Sequence, residues 1–153
     1  MLATVYQVPA DILIKALSEK LQNDFSSFIS PPPWAQYSKT GRHRVKPPEQ
    51  EDWWYIRAAS LLRKVSIKGP IGIEHLRKLY GGKKNFGVAP NHFVKGSGNV
   101  QRTACQQLER AGLVRIVPGK GRMATPQGQA LLDKIAFTAK KELKEKIPDL
   151  DRY

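Results

Sequence analysis

Over the second two-thirds of this chain the apolar residues change their spacing in a set order, and few folds accept that order. Glu51-Asp52 open a run over 52–66 in which Trp54, Ala58, Leu61, Leu62 and Val65 share one helical sector. Acidic residues at its start suit the positive end of a helix dipole. Gly69-Pro70 ends that helix, and 71–80 reads as a shorter one with Ile73, Leu76 and Leu79 inward. The spacing then predicts a helix over about 98–111, with Ser97 or Gly98 near its cap and Gly112 as its stop. Its core side carries Val100, Ala104, Leu108 and Ala111. Next comes the β-branched run Leu113-Val114-Arg115-Ile116-Val117, a turn at Pro118-Gly119-Lys120-Gly121, and a return strand at Arg122-Met123-Ala124. Thr125 as N-cap and Pro126 at the first helical position open the last helix, with Leu131, Leu132, Ile135, Ala139 and Leu143 as its stripe. Helix, short helix, helix, hairpin, helix is the order of a winged helix-turn-helix. The expected fold is mostly α: a winged helix-turn-helix-like helical domain with a small β-hairpin wing, spanning 1–153 as one domain.

The first third adds a helix over 9–24, with Pro9 near its first turn and Leu13, Leu17 and Leu21 four residues apart. Pro31-Pro32-Pro33 and Pro47-Pro48 bracket a segment that cannot be helical, and within it lies the basic stretch Lys39 to Lys46. Residues 30–50 therefore read as an extended, Pro-rich basic arm packed by Trp34 and Tyr37. Residues 81–99 read as a basic, Gly-rich, aperiodic insert between the short helix and the 98–111 helix.

The charge has one sign and one address. The chain carries 26 Lys+Arg against 13 Asp+Glu, a net +13. Residues 53–104 hold ten of those bases and a single acid, Glu74. Solubility needs far less, so a polyanion is the expected partner. No run approaches the ~20 apolar residues of a membrane span, and no basic-then-apolar leader opens the chain. A soluble, cytoplasmic protein without a membrane partner is expected. A lone cysteine, Cys105, leaves no internal disulfide and fits a reducing compartment. His43, His75 and His92 lie too far apart for a metal site, and no carboxylate pair or nucleophile–base spacing suggests catalysis. No enzyme activity, cofactor, metal or small-molecule substrate is expected.

The candidate RNA-binding residues follow from that distribution. The arm offers Lys39, Arg42, His43, Arg44 and Lys46. The 52–66 helix offers Arg57, Arg63 and Lys64, with no acid between Asp52 and Glu74 to neutralise them. Arg77, then Lys83, Lys84 and Lys95 among glycines, can bring cations and backbone amides to phosphate oxygens. Arg102 recurs with Gln106 and Arg110 on the outer side of its helix, as a groove-facing helix would require. Lys120 and Arg122 suit the tip of a wing. Trp34, Trp53 and Trp54 can stack on bases, but core packing is the commoner use of spaced aromatics. Lys140, Lys141, Glu142, Lys144, Glu145 and Lys146 mix signs at helical spacing and read as a solvated face.

Several long motifs in one order carry a resemblance: Asp52-Trp53-Trp54-Tyr55-Ile56-Arg57-Ala58-Ala59-Ser60, Lys68-Gly69-Pro70-Ile71-Gly72-Ile73, Tyr80-Gly81-Gly82-Lys83-Lys84-Asn85, Gln106-Gln107-Leu108-Glu109 and Thr125-Pro126-Gln127-Gly128. Together they resemble the small-subunit ribosomal protein S19e family, shared by archaea and eukaryotes and absent from bacteria. Thr40-Gly41-Arg42-His43, the Trp-Trp pair and Pro118-Gly119-Lys120-Gly121-Arg122 look like its archaeal branch. The resemblance implies a winged-helix-derived fold and a place in the head of the small ribosomal subunit. Its partners there would be small-subunit rRNA and neighbouring ribosomal proteins, and in eukaryotes it implies a need in pre-rRNA maturation. Basic family positions match at Arg57, Arg63, Lys83 and Arg102. Phe86 and Val88 stand where more polar or basic residues are expected, which makes 86–94 the weakest stretch for RNA contact and leaves its contact open. A monomer is expected for the free chain. A winged-helix DNA-binding regulator and an RNA-processing enzyme are the other classes open to the residues alone.

Overall fold

The structure is a computed structural model that describes residues 4–149. After a short 3-10 turn at Val5–Gln7, α1 covers Ala10–Asp24. A second 3-10 turn, Pro33–Gln36, lies inside the arm. Then come α2 (Trp53–Lys68), α3 (Ile73–Leu79), β1 (Gly82–Phe86), β2 (Ala89–Val94), α4 (Gly98–Arg110), β3 (Val114–Val117), β4 (Gly121–Ala124) and α5 (Pro126–Lys146). This is a mostly helical, winged-helix-like arrangement. Helices α2, α3 and α4 form the three-helix unit, β3 and β4 are the wing, and an isolated bridge from Ile71 to Arg122 adds the short third pairing at the wing's base.

One contiguous core joins α1 to α5. Leu13, Leu17 and Leu21 of α1 meet Trp54, Leu61, Leu62 and Val65 of α2, with Leu76, Leu108 and Leu132 from the other three helices, every one fully buried. Helix α2 is central, as its near-continuous apolar surface demands: even Ala59, which the helical wheel puts on the polar side, is buried. The caps form where the residue types place them. Ser97 Oγ accepts from Val100 N at 3.4 Å, and Thr125 Oγ1 accepts from Gly128 N at 3.1 Å while donating to Gly112 O at 2.7 Å.

Residues 81–99 are not an aperiodic insert. They form a second antiparallel hairpin, with Gly82 opposite Val94, Lys83 opposite Phe93 and Lys84 opposite His92. β2 is exposed along all but its last residue, and the half-buried positions of β1 are Gly82, Lys84 and Phe86, so no apolar–polar alternation marks the strands. The turn rests on Gly87, whose φ of 73° suits a residue without Cβ, and on Asn85 Oδ1, which accepts from Gly87 N at 2.8 Å. The arm also differs from its expectation. Trp34 does pack, its ring edge-on to Trp54 at 5.7 Å, but Tyr37 is 79% exposed and packs nothing down. Backbone pairing anchors its basic end: Gly41 bridges Gly96, and Ser97 N donates to Thr40 O at 3.0 Å.

The wing depends on one glycine. Gly121 has φ 115°, and a Cβ there would lie 2.5 Å from the backbone of Ile71. Gly121→Ala should therefore push the wing off α3's entry and cost about 1–3 kcal/mol. A thermal melt checks it: an unchanged midpoint would mean that the wing is loosely held.

Candidate nucleic-acid interface

The fold gathers a minority of the basic residues, nine of the 26, into three clusters. The first surrounds the Gly41–Gly96 bridge, where a depression of about 270 Å³ is lined by Lys39, Arg42, Arg77 and Lys95. Residues far apart in sequence meet here because the arm pairs with the end of β2. Arg77 donates from Nε to Gly96 O at 3.0 Å, so it also holds the bridge in place. Arg77 and Lys95 each reach Glu74 at 2.8 Å. The hydrogen bond from Lys95, then that from Arg77, lowers the Glu74 carboxyl to about 2.

The second cluster lies on α2. The Arg57 guanidinium sits 4.3 Å and the Lys64 ammonium 3.8 Å from the centre of the Tyr80 ring. Tyr80 and Ser60 share a hydrogen bond of 2.6 Å between their hydroxyls. Burial lowers the pKa of Lys64, and the charges of Arg57, Arg63 and Lys68 push it the same way. Burial likewise raises that of the Tyr80 phenol. Arg57 Nη1 and Arg63 Nε are buried without a hydrogen-bond partner among the described residues. An unmade buried hydrogen bond costs about 1–3 kcal/mol, which an arriving phosphate can offset after a small side-chain rotation.

His43 belongs between these clusters. It is not a free loop side chain: its ring fits against Gly41 and Gly82, where any Cβ would lie within 3 Å of it. Burial, then Arg44 and Arg57, lower its pKa, so the ring there is held toward neutral. Its role is to join the arm to β1, while Arg44 and Lys46 stand exposed beyond it.

The third cluster puts Lys120 of the wing beside Lys68 and His75, around a depression of about 460 Å³. Arg122 is not at the wing's tip. It lies within β4 opposite Ile116, half-buried, with Nε paired to Glu109. A guanidinium so paired is the least available of the predicted cations. Lys83 and Lys84 point to opposite faces of β1, and Lys84 lies 5.5 Å from the centre of the Phe86 ring. Arg102 stands exposed on α4 with Gln106 and Arg110.

Sequence reasoning missed Tyr80, Ser60 and Lys68, which complete the second and third clusters. A tyrosine directly before Gly81-Gly82 was the available signal for the first. It also missed Gln107, which accepts from Trp54 Nε1 at 2.7 Å and donates to Ser30 O at 2.8 Å, tying the arm to α2 and α4. No group of His, Cys, Asp or Glu that could hold a metal lies together among the described residues. Cys105 is buried, which raises its thiol pKa to about 12. No described helix is long and apolar enough to cross a membrane.

Glu74 gives a direct test of the first cluster. Its folded pKa lies below the ordinary 4.5, so its ion pairs contribute fully above about pH 4.5 and fade as pH falls toward 2. Glu74→Gln should free Arg77 and Lys95, tighten binding to RNA and steepen its salt dependence. Unchanged affinity would remove this cluster from the interface.

The basic clusters, the winged-helix order and the motifs can be set beside known proteins. Residues 4–142 match the family described as ribosomal protein S19e. The small ribosomal subunit protein eS19 of Aeropyrum pernix is 49% identical over 148 residues, covering 96% of each chain. That of Haloarcula marismortui is 47% identical over 156 residues, covering 99% of each. That of Oryza sativa is 38% identical over 133 residues, 87% of this chain and 90% of its own. Identity near one half along almost the entire length, in the same order of motifs, is far more than a common fold alone would leave: the chain belongs to the ribosomal protein S19e family.

Proposed function

We propose that this protein is a structural component of the small ribosomal subunit that binds rRNA in the subunit head and supports subunit assembly and rRNA maturation. One observation carries the reading. Arg44 and Lys46 of the arm line one cleft with Arg57 of α2, Lys39 and Arg42 line another depression with Lys95, and Arg57, Arg63 and Lys64 have no carboxylate to neutralise them among the described residues. Family membership and the names of the relatives support the same assignment. The contact surface comprises Lys39, Arg42, Arg44 and Lys46 of the arm, Arg57, Arg63 and Lys64 of α2, and Lys83, Lys84 and Lys95 of the hairpin. Arg102 and Lys120 extend it, while Arg77 and His43 act mainly by positioning their neighbours. The role is structural rather than catalytic. The free chain is a monomer in the cytoplasm, and its partners in the subunit are rRNA and adjacent head proteins.

Affinity for a structured small-subunit rRNA fragment, measured from 50 to 200 mM salt, tests this. A plot of log K against log salt should be linear with a slope of roughly −0.7 to −0.9 per phosphate contact. With about six contacts the loss approaches a thousandfold across that range. A flat plot would sink the RNA reading. Sequence-selective binding of duplex DNA, lost when Arg102, Gln106 and Arg110 become Ala, would replace it with a winged-helix regulator.

A further inference from the structure

A cleft of about 680 Å³ lies between residues 44–50 of the arm and the outer face of α2. That volume falls within the ~300–1,000 Å³ of sites that enclose a small ligand. Its lining is divided. Val45, Pro47, Trp53 and Ile56 supply apolar surface, and Trp53 is a partly buried indole whose ring also meets Trp54 edge-on at 5.3 Å. Arg44, Lys46 and Arg57 supply three cations against one acid, Glu49. Gln50 adds an exposed amide, a donor and an acceptor side by side.

An apolar slot beside a surplus of cations fits an occupant that is flat and apolar at one end and anionic at the other. We infer that this cleft takes a single extruded nucleotide of RNA, its base between Trp53, Ile56 and Pro47 and its phosphate on Arg44, Lys46 and Arg57. Sequence-specific RNA recognition favours unstacked bases held against aromatic and apolar side chains, so the division of the lining matches the division of a nucleotide. An apolar peptide side chain would leave the three cations unused. The inference rests on the rRNA-binding reading and adds a base-binding site to a surface otherwise made for phosphates.

The test uses the full chain and watches the Ile56 methyl and the amides of residues 44–46 by NMR while AMP, UMP, ribose 5-phosphate and N-acetylphenylalaninamide are added in turn. AMP and UMP should shift these signals at concentrations at least tenfold below those needed for ribose 5-phosphate. Trp53→Leu should weaken that binding by about tenfold or more. Because Trp53 also packs on Trp54, Val45→Glu is the second variant: it is 88% exposed at the mouth of the cleft, keeps the fold and repels the phosphate. Equal half-saturation by ribose 5-phosphate would reduce the cleft to an anion patch and overturn the inference. Acetylphenylalaninamide binding as tightly as AMP would assign it to a protein side chain and overturn it as well. Absence of any shift, with the rRNA fragment still bound, defeats the cleft alone; loss of both defeats the rRNA reading with it.

Discussion

Trp54→Ala should lower the stability of this protein by about 3–5 kcal/mol, the cost of removing a large buried aromatic and leaving a cavity. The indole is fully buried at the centre of the core, edge-on to both Trp34 and Trp53. Its Nε1 donates to Gln107, which in turn donates to the arm at Ser30. The substitution thus removes packing and breaks the α2 end of that relay, leaving Gln107 without the donor that orients it toward Ser30. Against a total of about 5–15 kcal/mol for a domain, the loss is severe. At roughly 2–4 °C per kcal/mol in a chain of this size, the melting midpoint should fall by about 10–15 °C. Trp54→Phe separates the two parts, keeping much of the volume while orphaning Gln107 at about 1–3 kcal/mol. A midpoint within two or three degrees of the parent for Trp54→Ala would show that this core reading is wrong.

Arg57→Glu should do the opposite, sparing the fold and destroying the interface. Arg57 has no carboxylate partner among the described residues, and its neighbours include Arg44 and Lys64, so its own charge is repelled where it stands. Losing its contact with Tyr80 costs about 0.5–2 kcal/mol, and Lys64 still covers that ring. A carboxylate among the remaining cations recovers part of this, so the midpoint should stay within about 4 °C. RNA affinity, in contrast, loses a charge-assisted contact of about 1.5–3 kcal/mol and gains a repulsion. A fall on the order of a hundredfold is expected from binding isotherms, and Arg57→Ala should lose less. If Arg57→Glu unfolds instead, Arg57 is a structural residue and the contact face must be moved.

Trp54 and Arg57 lie about one helical turn apart, and their separate roles are legible in the residue types alone. Trp54 shares the apolar sector of 52–66, whereas Arg57 sits in a stretch with ten bases and one acid. The helices are legible for the same reason: each buries one stripe against the core, and burial writes the 3.6-residue period into the residue types. The wing is legible because its strands are β-branched and its turn carries Pro and Gly. The β1–β2 hairpin is not. β2 is exposed almost throughout, and the half-buried positions of β1 hold Gly82 and Lys84 beside Phe86, so burial writes no apolar alternation and the lysines read as a loop.

The order and kind of the main helices, the wing, the positive field and the family are all written in the residue types. These depend on composition and on contacts near in the chain. Which cations remain available depends on packing between distant segments. Arg122 is paired with Glu109, Lys95 reaches back to the Glu74 that Arg77 also holds, and His43 is fitted between Gly41 and Gly82. The same holds for Tyr80 beneath Arg57 and Lys64, and for the cleft that the arm closes over Trp53. A residue's type sets what it can bind. Its partner depends on which distant segment the packing brings within a few ångströms, and no local pattern in the chain encodes that.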